Sequence, residues 1–156
     1  MFVCVPQAVH AAVTAPVGQW IQTDPEAKIP ESSLVRIDQM PDGTLQGVVT
    51  RVLQSRLGTD PRCGKCTGEL HDKPFVGMTV LWGLRRDGDK WDQGWVLDPR
   101  NGKTYKVEVT PIHHGEALDV RAYVGTPLFG RTQVWKRYAA GGISPHGTNA
   151  DLSHNR

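Results

Sequence analysis

The chain has 156 residues, 38% of them hydrophobic and 22% charged, with a formal net charge of +2. That length suits one domain and is enough for a core built without metals or several disulfides. The positive charges are dispersed, the basic pair Arg85-Arg86 is followed at once by Asp87 and Asp89, and no apolar run approaches the roughly 20 residues of a membrane-spanning helix, so nothing points to nucleic acid or a transmembrane segment.

The first fifteen residues stand apart. Phe2-Val3-Cys4-Val5 followed by Ala8, Ala11, Ala12 and Ala15 resembles the end of a secretory h-region with small residues near its cleavage site, although no basic n-region precedes it. Residues 1–15 are therefore read as the remnant of a signal peptide; a weakly docked or disordered N-terminus fits the same letters. Cys4 is no lipoprotein acceptor, because Val3 fills a position that requires a small residue.

From there the sequence breaks into short alternating segments punctuated by 17 Gly and 11 Pro, which leaves little room for long helices. Residues 17–23 form a first strand that stops at Asp24-Pro25, since proline lacks the donor a ladder needs. Residues 32–40 and 44–53 form a hairpin across Pro41-Asp42-Gly43. A long loop with Cys63 and Cys66 follows, then a strand from Phe75 to Leu84 with Met78, Val80, Trp82 and Leu84 on one face. Arg85 to Lys90 reverses the chain into a strand with Trp91, Gln93, Trp95 and Leu97 on one face, ended by the turn Asp98-Pro99-Arg100-Asn101-Gly102. Residues 103–112 and 116–124 pair across His113-His114-Gly115, and 129–138 form the last strand.

Eight strands joined in order by short polar turns predict an all-β fold, a single antiparallel up-and-down barrel over residues 16–139, because closure removes exposed sheet edges. The interior of an eight-stranded barrel is either just filled by side chains or able to hold one small ligand. Residues 140–156, rich in Gly, Asn and Pro, read as a disordered tail.

Gly18-x-Trp20 at the first strand, with Arg131 and Arg137 in the last, resembles the signature by which lipocalins and fatty-acid-binding proteins, together the calycins, close their barrels. The indole offers a flat apolar face on which a guanidinium stacks while still donating to local carbonyls, so Trp20, Arg131 and Arg137 are expected as structural closure residues. The span Gly18 to Arg137 also resembles a bacterial family catalogued as domain of unknown function 2147. The matching residues include Cys63-Gly64-Lys65-Cys66, Leu81-Trp82-Gly83-Leu84, Leu97-Asp98-Pro99, Asn101-Gly102-Lys103-Thr104-Tyr105 and Gly130-Arg131-Thr132 with Trp135. The resemblance implies an exported protein with a calycin-like barrel and no established activity, hence a periplasmic or secreted location.

Cys63 and Cys66, two residues apart, admit a structural disulfide, a redox pair or half a metal site. A redox pair needs a helix behind its first thiolate, and Thr67 to Pro74 is too short and broken to supply one. A zinc site needs four ligands, and only His71 and Asp72 lie near. In an exported protein a disulfide pinning the loop over the barrel mouth is the expected form, with redox activity as the alternative.

Arg121 and Tyr123 share one strand face and resemble the carboxylate clamp inside fatty-acid-binding proteins, since guanidinium grips carboxylate bidentately. The opposite face, Leu118, Val120, Ala122 and Val124, is wholly apolar and competes for the interior. Trp82 and Trp95 are candidate pocket walls, with core packing as the competing role for them and for Trp91. His113-His114 reads as a solvated turn, and no phosphate loop, nucleophile elbow or His-Glu metal motif is present, so neither enzyme activity nor a cofactor or metal is expected. The expected function is binding of a small apolar or amphipathic ligand, a fatty acid or envelope lipid fragment, with Arg121, Tyr123, Trp82 and Trp95 as candidate contacts. A thiol-disulfide protein and a cavity-free barrel acting through its surface are the alternatives.

Overall fold

A computed structural model of the chain describes residues 15–24 and 26–139. The expected signal remnant up to residue 14 and the expected tail from residue 140 lie outside them. Ala15, assigned to the remnant, packs against the barrel core.

Eight antiparallel strands form one closed barrel in sequence order: β1 (Gly18–Asp24), β2 (Glu31–Gln39), β3 (Leu45–Gln54), β4 (Thr79–Asp87), β5 (Lys90–Asp98), β6 (Lys103–Ile112), β7 (Ala117–Tyr123) and β8 (Gly130–Tyr138). The seam is β1 against β8, with Gln19 opposite Tyr138, Trp20 opposite Arg137 and Ile21 opposite Lys136. The fourth strand begins later, and the fifth earlier, than the alternation suggests. Phe75–Met78 form a turn in which the Met78 N–H donates to the Phe75 carbonyl at 3.0 Å, so β4 starts at Thr79. The reversal between β4 and β5 needs only Gly88 and Asp89, because Gly88 at φ +64° supplies the left-handed backbone of a primed hairpin turn.

Register explains which alternating set faces inward. Val35 pairs with Trp20 and Val49, Val107 with Gly94 and Ala122, and Val120 with Val109 and Gln133. Successive side chains on a strand point to opposite faces, so each pairing fixes a whole inward column. Trp20, Ile37, Leu45, Leu81, Leu84 and Leu118 are fully buried and fill one end of the barrel.

The alternation read along the fifth strand fails midway. Gln93 adopts φ +59° and the ladder with β6 shifts between Trp91 and Gly94. A bulge inserts one residue and turns the remaining side chains over. Trp91 is buried, whereas Gln93 and Trp95 face solvent and Gly94 and Val96 take the inward positions. Trp82, opposite Trp95 across the ladder, is outside as well.

Candidate functional site

The two ends of the barrel are closed by different chemistry. At the filled end the Arg137 guanidinium stacks 4.2 Å from the centre of the Trp20 ring. It also donates from Nε to the Gly115 carbonyl at 2.8 Å and from Nη1 to the Val17 carbonyl at 3.1 Å. The Trp20 indole N–H donates to the Pro16 carbonyl at 3.1 Å, so the buried ring leaves no polar atom unpaired. A Cβ on Gly18, whose φ is +134°, would sit 2.6 Å from Arg137 Nη1, which is why glycine precedes the tryptophan by two. The Gly115 carbonyl is presented by the β6–β7 turn, where His113 and His114 are exposed and both adopt positive φ, 50° and 56°. Arg131 takes no part here. It shares the inward column of β8 with Arg137, six residues and so about 20 Å away along the strand, and pairs with Glu26 at 2.5 Å with 82% of its side chain exposed.

At the other end the interior is open: a cavity of about 720 Å³ reaches down from the mouth to the filled end. Its polarity follows the inward columns. β1 runs Trp20, Gln22, Asp24 from the filled end to the mouth; β2 runs Ile37, Val35, Ser33, Glu31; β8 runs Trp135, Gln133, Arg131. Below the mouth the wall is apolar, made by Val35, Val49, Val52, Val96, Val120 and Trp135.

The mouth is organised by Arg100, carried on the β5–β6 turn and only 25% exposed. Its Nε and Nη2 grip both carboxylate oxygens of Asp98 at 2.9 and 2.8 Å, while Nη1 donates to Glu31 at 3.2 Å and to Asp24. Glu31 also receives Arg56 at 3.4 Å from the outer side. The Asp98 hydrogen bonds hold the Arg100 pKa above its ordinary range against the opposing effect of burial. Burial pushes the Asp24 carboxyl up, but hydrogen bonds from Arg100 and the Glu26 N–H outweigh it and leave the pKa below the usual value. The pairing is charge-assisted and partly bidentate, which fixes the turn as well as the charge.

The Cys63–Cys66 knuckle supports the same turn. The two sulfurs are bonded, Cys63 is fully buried and Cys66 is 4% exposed. Cys63 Sγ lies 3.1 Å from the Pro99 carbonyl oxygen, and a Cβ on Gly102 would fall on the Lys65 carbonyl. The loop therefore docks edge-on against residues 98–102 beside the mouth. The nearby His71 ring nitrogen bonds the Cys66 carbonyl at 3.0 Å, and with both sulfurs in the disulfide neither is a thiolate ligand.

Of the residues expected to contact ligand, only Tyr123 reaches the cavity, at its rim. Arg121 faces outward, donating to the Pro127 carbonyl at 2.6 Å and to Thr132 Oγ1 at 2.9 Å, because the apolar column of Leu118, Val120 and Ala122 takes the interior. Trp82 borders a shallow outer hollow with Leu70, Val76 and Met78. Trp95 is 37% exposed and carries Lys106 Nζ 4.5 Å above its ring. The residues that do build the mouth, Asp24, Glu31, Asp98, Arg100 and Tyr105, were not singled out from sequence as ligand contacts. The Asp98-Pro99-Arg100 turn carried one signal, an acid and a base two apart, but its partners on β1 and β2 lie about seventy residues away, with separations of 76 and 69.

The family described as "Uncharacterized protein conserved in bacteria (DUF2147)" matches residues 18–137, the whole barrel up to Arg137. Among solved structures, the chain is similar to one described as "Protein HP1028 from the human pathogen Helicobacter pylori belongs to the lipocalin family", with a TM-score of 0.68 and 20% sequence identity over 80% of this chain and 83% of that one. At that identity the likeness concerns the fold: a lipocalin-like, eight-stranded barrel. No protein of curated function matches the chain. With its barrel matched from Gly18 to Arg137, the chain belongs to the bacterial DUF2147 family.

Proposed function

We propose that this protein binds one small apolar or amphipathic molecule inside its barrel and is not an enzyme. The observation that carries the reading is the cavity of about 720 Å³, apolar at depth and polar at its mouth. That size falls within the range of about 300–1,000 Å³ found for ligand pockets, and the mixture of an apolar wall with a few convergent polar groups is the usual makeup of such sites. A ligand enters tail first, burying its apolar part against Val35, Val49, Val96 and Val120 while its polar end stays among the charged groups. The Cys63–Cys66 disulfide is read as structural, since a redox pair needs an accessible thiolate and Cys63 is fully buried. A disulfide also suits a location outside the cytoplasm, which is part of this proposal.

Native mass spectrometry of protein purified from its own cells tests it directly. The expected result is an adduct of small-molecule mass that is lost on denaturation and absent from an Ala122→Trp variant, whose indole fills the cavity. Protein free of adduct in both forms, and indifferent to added amphiphiles, would count against the binding reading and favour a barrel that acts through its surface.

A further inference from the structure

The charges at the mouth discriminate among amphiphiles. Arg100 is the guanidinium held within the mouth, and four of its N–H donors are already committed, two to Asp98, one to Asp24 and one to Glu31. An incoming carboxylate therefore finds no free fork of donors, which is what bidentate recognition of an anion requires. The three acids that share Arg100 are mostly shielded from water, with side chains 15%, 9% and 23% exposed for Asp24, Glu31 and Asp98. Arg56 offsets a second charge from outside, and Arg131 with Glu26 cancel each other at the rim. Three carboxylates facing two guanidinium groups leave one negative charge at the top of an apolar cavity. A fatty acid would bring a second anion to that point, where water is too scarce to screen it.

Resting on the reading of the cavity as a ligand site, we infer that its ligand is an amphiphile with a single positively charged head, of the long-chain amine or quaternary ammonium class, seated against Asp24, Glu31 and Asp98. The apolar depth takes the tail and the residual charge is neutralised by the head. The sorting is electrostatic and, because the acids are shielded, weakens only modestly as salt is raised.

Isothermal titration of the full chain with dodecyltrimethylammonium, dodecanoate and dodecanol, each below its micelle concentration, tests the inference. The ammonium is expected to bind at least about tenfold more tightly than dodecanoate, with the alcohol between them. Glu31→Gln, and separately Asp24→Asn, are expected to shrink that ratio to about threefold or less, with dodecanol affinity changing less than ammonium affinity. Dodecanoate binding as tightly as the ammonium, or a preference that survives both substitutions, overturns the head-group assignment and leaves the binding barrel standing. Failure of all three probes to bind overturns both.

Discussion

Arg100→Met is the most searching single substitution in this barrel, because it keeps the length of the side chain and removes only the charge and its donors. The change leaves Asp24, Glu31 and Asp98 facing one another without their shared partner. Removing one member of a buried ion pair costs about 3–5 kcal/mol, mainly by stranding the other. These acids sit at a mouth and keep between 9% and 23% exposure, which lowers the expected loss to about 2–4 kcal/mol near neutral pH. The pH dependence is the sharper signature. In the native protein Asp24 titrates below its ordinary value of 3.8, so its contribution is present above that pH and fades as the pH falls further. Without Arg100 only the Glu26 and Ala27 N–H groups oppose burial, so the carboxyl titrates higher than in the native protein and its stabilising contribution at neutral pH shrinks. Urea unfolding followed by tryptophan fluorescence should show the midpoint of Arg100→Met lower by about 1.5 M near neutral pH, with the deficit narrowing as the pH falls through the range in which Asp24 is protonated. A deficit below about 1 kcal/mol, or one that does not change with pH, would refute the view that Arg100 restrains three carboxylates.

Other residues give separable outcomes. Trp20→Ala should cost about 3–5 kcal/mol by calorimetry, as for other buried tryptophans, and Arg137→Met about 1–2 kcal/mol through the lost stacking and carbonyl bonds. Arg131→Met should stay within about 0.5 kcal/mol, as an exposed pair contributes little; a larger loss there would contradict its separation from Trp20. The double change Cys63→Ser, Cys66→Ser should cost about 2 kcal/mol, small because the closed loop is short, and should weaken ammonium binding by loosening the turn behind Arg100; unaltered binding would detach the knuckle from the site. Arg121→Ala should leave ligand affinity unchanged in the same titrations, and a several-fold loss would show that the side chain reaches the cavity after all.

Much of the barrel is legible in the letters because turn chemistry and alternation agree over most of its length. Asp42 caps its own turn by accepting from the Thr44 N–H at 3.0 Å, and the strands on either side end where the sequence says they should. Trp20 is legible for a different reason, since its glycine spacing reports a packing contact with the far end of the chain. The errors at the tryptophans have one kind of source. Period-two reading holds only while the strand is regular, and left-handed backbone at Gln93 in β5 and at Gly83 in β4 breaks it, so Trp95 and its partner Trp82 lie outside. Arg131 misleads in another way: it shares the inward column of β8 with Arg137, but a column extends from one end of the barrel to the other, and sequence spacing does not say which end holds the indole. The mouth cluster is hidden because Asp24, Glu31 and Arg100 meet only once the barrel closes.

The contrast between the two ends bears on what the barrel is for. Stability is served well by the filled end, where an indole is buried with its N–H satisfied and a guanidinium stacked over it. The mouth does the reverse, holding three partly desolvated acids around one arginine above a cavity. Ion clusters of this kind are weak contributors to stability, and replacing them by well-packed apolar groups is often neutral or favourable. A cavity with an apolar wall likewise forgoes packing contacts that a few larger side chains would make. Both features cost folding free energy, and a molecule with an apolar body and a charge-matched head would offset both, which is how the architecture of the mouth supports the proposed binding role.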